Sequence, residues 1–410
     1  MMKKVLSSKQ LFAVALLFLF LITYKVNGQT ITVTNNSNKL LKDCIVEIPV
    51  EDLSLLLGSY VVLDTENKEF PLEITTDLRG DQKAIFPISK FPPNTTKIFH
   101  LRKGSSKNYP KRTYAELAHK IGGKFVGNKY EGGFSWVKPN FLSVDGNFRD
   151  HAYFIKYEGP GWESDKVGFR FYLDQRNAID VFGKKTSDIV LPFVGVDGYD
   201  NYHAMADWGM DNMKVGKSLG LGSIGIWNGD KAVRVEERDS ALCYIAADGK
   251  IRSQVMTTFF GWNVNGVKCN LESLISIDAG SRASKMELFV DKQIENIATG
   301  IIKAENTEFI HYNNPDSKWS YIATFGKQSL NDDMLGLVVF YKTKQLKQIT
   351  QDDLNHVVVL TPENGYVEYY FMPTWELDWE PVNNKEAFIQ CIDEVMNKLN
   401  HPLSFHFKNK

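Results

Sequence analysis

Cysteine is scarce in this chain. Cys44, Cys243, Cys269 and Cys391 are the only four in 410 residues, and no two form a C-x-x-C pair. A zinc ribbon or a thioredoxin-like redox site therefore has no support. The string H-E-x-x-H is absent, which removes the corresponding metalloprotease motif. Neither charge sign is in excess, with 48 basic against 49 acidic residues, so the basic stripe expected of a nucleic-acid binder is missing. There is no internal repeat and no low-complexity tract. Apart from one N-terminal segment, no uncharged apolar run approaches the roughly 20 residues that span a bilayer.

In that segment Lys3 and Lys4 precede the apolar run Leu11 to Ile22, and Val26 and Gly28 suit cleavage before Gln29. This is the layout of a secretory signal. The run is shorter than a spanning helix needs, and no cysteine follows it to carry a lipid. The expected product is a soluble periplasmic protein, cleaved near Gly28, with no stable membrane insertion. Export permits disulfides. Cys243 and Cys269 lie in apolar, strand-like contexts and are expected as buried thiols, a bridge between them being the alternative.

What is plentiful is aromatic surface and strand pattern. Aromatics make up 12% of the chain, including 8 Trp and 17 Tyr; they serve equally as sugar-stacking platforms and as sandwich core. From Ile31 to Lys103 short alternating runs, punctuated by Gly, Pro and Asn, predict a small β unit. Thr113-Tyr114-Ala115-Glu116 fits a capping box and predicts a short helix through Ile121, stopped by Gly122-Gly123. Strand rhythm then dominates to Pro373; Phe169, Phe171 and Leu173 alternate with Arg170, Tyr172 and Asp174. Phe388, Ile392, Val395 and Leu399 recur at helical spacing behind a candidate cap at Asn384. The expected fold is mainly β, a large antiparallel sandwich of the polysaccharide-lyase or galactose-mutarotase-like kind. The expected segments are a signal at 1–28, an N-terminal β unit at 29–105, the main catalytic sandwich at 106–383, and a C-terminal helix packed on it at 384–410.

Three stretches concentrate chemistry. In 195–225 a helix over Tyr202 to Met213 would align His203, Asp207 and Asp211 four residues apart, with Lys214 and Lys217 nearby. A His beside a carboxylate is a base or a metal ligand; the alternative is a solvated, ion-paired surface helix. Within the same stretch Gly220-Leu221-Gly222-Ser223-Ile224-Gly225 fits G-x-G-x-x-G but leads into a strand, so the glycines are expected to serve turns and close packing. The second stretch, 149–176, holds His151, Glu158, Trp162, Arg170, Tyr172 and Arg176, with a Gly-Pro-Gly turn expected to present Trp162 at a loop tip; cross-strand ion pairs are the plain alternative. In the third, Trp375 and Trp379 flank Glu376 and Asp378, a carboxylate pair of the glycosidase type only if their separation suits.

The blocks EGPGWESDKVGFRFYLDQRNAIDVFGKK (158–185), HAMADWGMDNMKVGKSLGLGSIGIW (203–227) and YVEYYFMPTWELDWE (366–380) resemble the signature segments of a family first catalogued as a domain of unknown function. That family occurs in bacterial polysaccharide-utilisation loci, and some of its members are ulvan oligosaccharide dehydratases. The resemblance implies removal of water from a non-reducing-end uronic acid, leaving a 4,5-unsaturated uronyl end. Such an elimination needs a group to neutralise the uronate, a base at C5 and an acid at O4. Arg170 or Arg176 with Lys217 suit the first role, His203 oriented by Asp207, or His151, the second, and Tyr172 or the partner histidine the third. Trp162, Trp208 and Trp375, with Glu376, are the candidate sugar-binding residues. The chemistry requires no cofactor, although a divalent metal on His203 and Asp207 could replace the arginine. The expected partner is an acidic, sulfated oligosaccharide. The rival readings are a polysaccharide lyase that expels a sugar, and a non-catalytic carbohydrate-binding protein.

Overall fold

The computed structural model describes residues 29–408 except 54, 56, 57, 107 and 198–200. The export signal expected at Lys3, Lys4, Leu11 to Ile22 and Gly28 lies outside the described residues. No helix among those described is long and apolar enough to cross a membrane.

The alternating runs become strands, and the fold is a mainly β, antiparallel sandwich. Nine strands form its larger sheet in the order Leu142–Asp145, Ser240–Asp248, Arg252–Val264, Val267–Asp278, Ser284–Val290, Tyr366–Trp375, Met334–Lys342, Trp319–Lys327, Thr307–Tyr312. Two five-stranded sheets make the opposing layer. One runs Gly209–Asp211, Ile179–Lys184, Gly168–Phe171, Gly161–Ser164, Thr113–Glu116; the other is centred on Ile297–Ile302. A single apolar core fills the space between, with Trp162, Phe169 and Val181 from the first small sheet, Ile226 and Ile301 from the second, and Leu288, Val339 and Phe371 from the large one. Tyr366–Trp375 is buried on both faces. Tyr369 and Phe371 point into the sandwich, while Tyr370 and Met372 meet the helix Lys385–Asn400 on the outer side. Asn384 caps that helix, its side chain accepting from the Ala387 N–H, and Phe388 and Ile392 are fully buried, as the spacing predicts.

The N-terminal residues build two further sheets around a separate core of Ile31, Val46, Phe86 and Phe99. The chain's last strand, Ser404–Lys408, returns to pair with Thr30–Asn35, a strand that the sequence pattern did not reveal after the helix. Arg112 ties this unit to the main body through Asp43 at 3.1 Å and Asp165 at 2.7 Å.

Two expected helices are not formed. Thr113–Glu116 is a strand paired with Gly161–Ser164. Thr113 donates to the Gly249 carbonyl, and Glu116 is buried against Lys156 at 2.7 Å. Tertiary partners for the two cap residues outweigh the local motif. After it, His119–Val126 and Lys129–Val137 form an isolated two-stranded ribbon. Residues 202–213 hold a short 3-10 turn, Asn201–His203, and the strand Gly209–Asp211; Gly209 at φ +133° is incompatible with a helix.

Candidate active site

The site grows from strand register. Arg170 lies directly opposite Asp180 across the pair Gly168–Phe171/Ile179–Lys184, and Asp211 enters from the next strand opposite Phe182. Phe169 and Val181 face the core, so by the two-residue period Arg170 and Asp180 share the other face. That face is covered by Val190, Leu191, Val194 and Tyr202 and is not open to water: Arg170 is 2% exposed, and Asp180 and Asp211 1% each.

Arg170 spends its whole fork on the protein. Nε and Nη2 donate to Asp180 (3.2 and 2.7 Å), Nη2 also to Asp211 (2.5 Å) and the Tyr172 hydroxyl (2.9 Å), and Nη1 to the Tyr202 hydroxyl (2.7 Å). Tyr172 in turn donates to Asp180 at 2.6 Å. Glu158 stands 3.6 Å from Nη1 and binds Arg176 at 2.8 Å; Arg176 also pairs with Asp174 and lies 3.8 Å over the Tyr172 ring. Four carboxylates (Glu158, Asp174, Asp180, Asp211) thus share two guanidinium groups, a centre short of positive charge.

Two half-open imidazoles sit at its edge. His203 Nε2 is 3.2 Å from Asp211, and its ring is 4.6 Å from that of Tyr202. The His151 backbone N–H donates to Glu158 at 3.2 Å, and the ring Nδ1 is 3.0 Å from Asp150. The hydrogen bond to Asp211 is the main reason the His203 pKa lies above its ordinary value, against an opposing effect of burial. Burial first, and then the charge of Asp211, push the Asp180 carboxyl up to about 6 despite Arg170. Burial likewise raises both tyrosine hydroxyls, Tyr172 and Tyr202, so they stay protonated.

The backbone here is unusual. His151, Tyr153, Tyr157 and Glu158 all adopt left-handed φ, between +37° and +70°. Each such residue costs about 1–3 kcal/mol and persists only where the surroundings impose it. Those surroundings are visible. Lys156 binds Glu116 at 2.7 Å and the carbonyls of Leu191 (2.9 Å) and Pro192 (3.2 Å), and Tyr157 donates to Glu116. The pair Lys184–Glu163, wholly buried at 2.7 Å, receives the Val190 and Leu191 N–H groups on the carboxylate. The His151 turn and the residues Val190 to Pro192 are therefore clamped from beneath by two buried ion pairs.

Of the candidates read from sequence, His203, His151, Tyr172, Arg170 and Arg176 belong to one contact network. Others do not. Trp162 is not at a loop tip; it is buried in the core, stacked on Phe169 at 5.4 Å and donating to Ser284. Trp375 is buried too, its indole N–H given to Asp333 at 2.6 Å. Neither can stack on a sugar. Glu376 accepts from the Met334 N–H and Asp378 is buried against Arg282, so the glycosidase pair is structural. His203 turns to Asp211, not to Asp207, which is exposed, as is Lys217. Among the described residues no three His, Cys, Asp or Glu side chains converge as a metal-binding group, and the donors proposed for a metal do not fit one. Trp208 remains, half-buried against Phe182. Gly216-Lys217-Ser218-Leu219-Gly220 matches G-x-S-x-G, but Ser218 is buried and its hydroxyl donates to the Val215 carbonyl at 2.6 Å, which rules out an exposed nucleophile. All four cysteines are free. Gly222 packs directly under the Phe371 ring, a close-approach role that bears out the reading of the glycine string.

Sequence reasoning missed Asp180 and Tyr202. A lone acid inside the apolar run Ala178-Ile179-Asp180-Val181-Phe182 was the available signal, because a charge in a buried strand demands a partner.

An uncharacterised protein, P7, from Formosa agariphila is 27% identical over 264 residues, covering 59% of this chain and 65% of that protein. Two solved structures from Enterococcus faecalis also align, each at 10% identity over 94% of this chain: a glycosyl hydrolase family 38 protein (TM-score 0.49) and an alpha-mannosidase (0.47). The chain spans about half their length, 48% and 46%. Residues 33–405 match the family model described as a domain of unknown function, DUF4861, and the protein belongs to that family.

Proposed function

We propose that the protein is an exported, periplasmic carbon–oxygen lyase. It eliminates water from the non-reducing-end uronic acid of ulvan-type oligosaccharides. The observation that carries the reading is the His203–Asp211 pair seated on the buried Arg170–Asp180–Tyr172 cluster, with His151 on the same network.

In this mechanism His203 donates its Nε2–H to Asp211, which leaves the Nδ1 lone pair to take the C5 proton. The C5–H electrons form the C4=C5 bond, and the C4–O bond breaks. Protonated His151, beside Asp150, gives its proton to the departing hydroxyl, which leaves as water. The step is redox-neutral and needs no cofactor. Arg176, part-exposed beside Glu158, meets the uronate carboxylate; Arg170, with its fork fully used, fixes Asp180 and Asp211 and does not bind substrate. Tyr172 is buried under Arg176, which takes it out of the acid role and leaves that role to His151.

Purified protein is incubated with saturated, uronyl-terminated oligosaccharides, and the ultraviolet absorbance of the conjugated uronate is followed. Wild type should produce the chromophore, and His203→Ala and His151→Ala should each slow it by roughly 10²–10⁴-fold. Full activity in both variants would exclude this assignment.

A further inference from the structure

On the opposite side of the sandwich from Arg170, the nine-stranded sheet turns its outer face toward the N-terminal unit. Strand register fixes what that face carries. Ile275, Met286 and Tyr369 lie opposite one another and point into the core, so their neighbours Ser276, Lys285 and Tyr370, also in register, share the outer face. Above them runs the strand Leu41–Pro49. Its Val46 and Ile48 fill the N-terminal core, which leaves Ile45 and Glu47 to face the large sheet, where Glu47 pairs with Arg252. The end of the helix Lys385–Asn400 closes one side through Val395 and Lys398. Between these walls lies a cavity of about 430 Å³. Interiors pack closely, and a space of this size between domains is the usual form of a small-molecule site.

The lining carries both signs of charge, already set against each other. Arg252 is shared by Glu47 and Asp278, Lys285 stands 3.3 Å from Glu287 and 3.6 Å from Glu368, and Asp43 is held by Arg112 at 3.1 Å. A free ion would meet attraction and repulsion together, so net charge is not what this cavity selects. Two groups keep unused hydrogen-bonding capacity. The Lys398 ammonium donates to the Asp43 carbonyl at 3.3 Å and forms no ion pair among the described residues. Burial is the chief reason its pKa lies below the ordinary value, which makes it a donor and a poor anchor for an anion. The Tyr370 hydroxyl, kept protonated by burial, makes no hydrogen bond among the described residues. Trp319 meets the Tyr370 ring edge-on at 5.2 Å, so ring surface stands beside both groups. Hydroxyls can give to carboxylates and receive from ammonium and phenol groups, and the C–H faces of a pyranose can lie on aromatic rings. A polyhydroxylated ring answers every part of this lining without bringing a charge.

We infer that this cavity binds a small carbohydrate, of mono- or disaccharide size, without turning it over. The inference goes beyond the elimination and does not depend on it, because the two sites lie on opposite faces of the sandwich. Calorimetry on the purified protein would use D-glucose, D-galactose, L-rhamnose and D-glucuronate, with L-glutamate and sulfate as charged molecules that lack a sugar ring. At least one sugar should bind at about 1 mM or tighter, and glutamate and sulfate about tenfold more weakly or not at all. Tyr370→Phe deletes one hydroxyl and Lys398→Met one ammonium, and each should weaken the sugar by roughly five- to tenfold. Tyr370→Phe should keep the wild-type thermal midpoint, since the hydroxyl has no protein partner to lose. His203→Ala should leave the affinity unchanged. No sugar bound, glutamate or sulfate bound as tightly as the best sugar, or affinity unchanged in Tyr370→Phe or in Lys398→Met would overturn the inference. So would loss of binding in His203→Ala, which would put the sugar at the reacting centre. Binding that behaves as expected in a protein without elimination activity would sink the reaction and keep this site.

Discussion

Replacing Arg170 with methionine keeps much of the stem's volume and deletes a guanidinium that makes five hydrogen bonds. Asp180 and Asp211, each 1% exposed, then lose their shared cation. Removing one partner from a buried ion pair costs about 3–5 kcal/mol, because the remaining charge stays desolvated and unpaired. The loss should depend on pH. In the intact protein Asp180 titrates near 6, above its ordinary 3.8, so the folded state binds its proton more tightly than the unfolded chain. Stability from this group is present at low pH and falls as pH rises from about 4 through 6. Without Arg170, which lowers that pKa, the carboxyl moves higher still. Urea unfolding followed by tryptophan fluorescence should therefore show R170M about 3–5 kcal/mol less stable than wild type near pH 8. The gap should narrow near pH 5, where a protonated carboxyl needs no cation. Arg170→Lys, which keeps the charge and loses the fork, should fall between. A gap below about 1 kcal/mol near pH 8, or one unchanged between the two pH values, would refute the reasoning, since an exposed pair behaves that way.

Three further perturbations test other parts of the account. Asp211→Asn removes the hydrogen bond that chiefly raises the His203 pKa. The rising acid limb of the pH–rate profile should move to lower pH with a reduced plateau, and the stabilisation lost should be one present below about pH 6.5. Lys184→Met leaves Glu163 buried without its cation and should cost about 3–5 kcal/mol in urea, while Glu163→Leu/Lys184→Met, removing both charges, should cost less than the single change. Gly222→Ala places a Cβ 2.6 Å from the Phe371 ring at φ +74°, whereas Gly127→Ala at φ +62° meets nothing within 4 Å. Thermal unfolding should show only the left-handed cost of about 1–2 kcal/mol for Gly127→Ala and roughly 1–3 kcal/mol more for Gly222→Ala.

Strands and the C-terminal helix were legible because periodicity is local. The alternation appears over the strand Gly168–Phe171, which puts Phe169 and Phe171 in the core, and the spacing of Phe388 and Ile392 appears as read. The failures have one physical source, contacts between residues far apart in sequence. The capping box at Thr113 is outweighed by a Glu116–Lys156 pair 40 residues away. His203 and Asp211 do meet, but because the chain turns back through Gly209 and not because a helix aligns them. Trp162 and Trp375 show that aromatic abundance cannot separate core from platform, since both are needed inside. Asp180 and Tyr202 join the site only through register and loop closure, which no single segment encodes.

The most direct measurement of the central claim is the intact mass of the product from a saturated, uronyl-terminated oligosaccharide. The account predicts loss of one water with the chain length unchanged, in wild type and not in His203→Ala. Shortened oligosaccharides, or an unchanged substrate on every acidic oligomer tried, would contradict it.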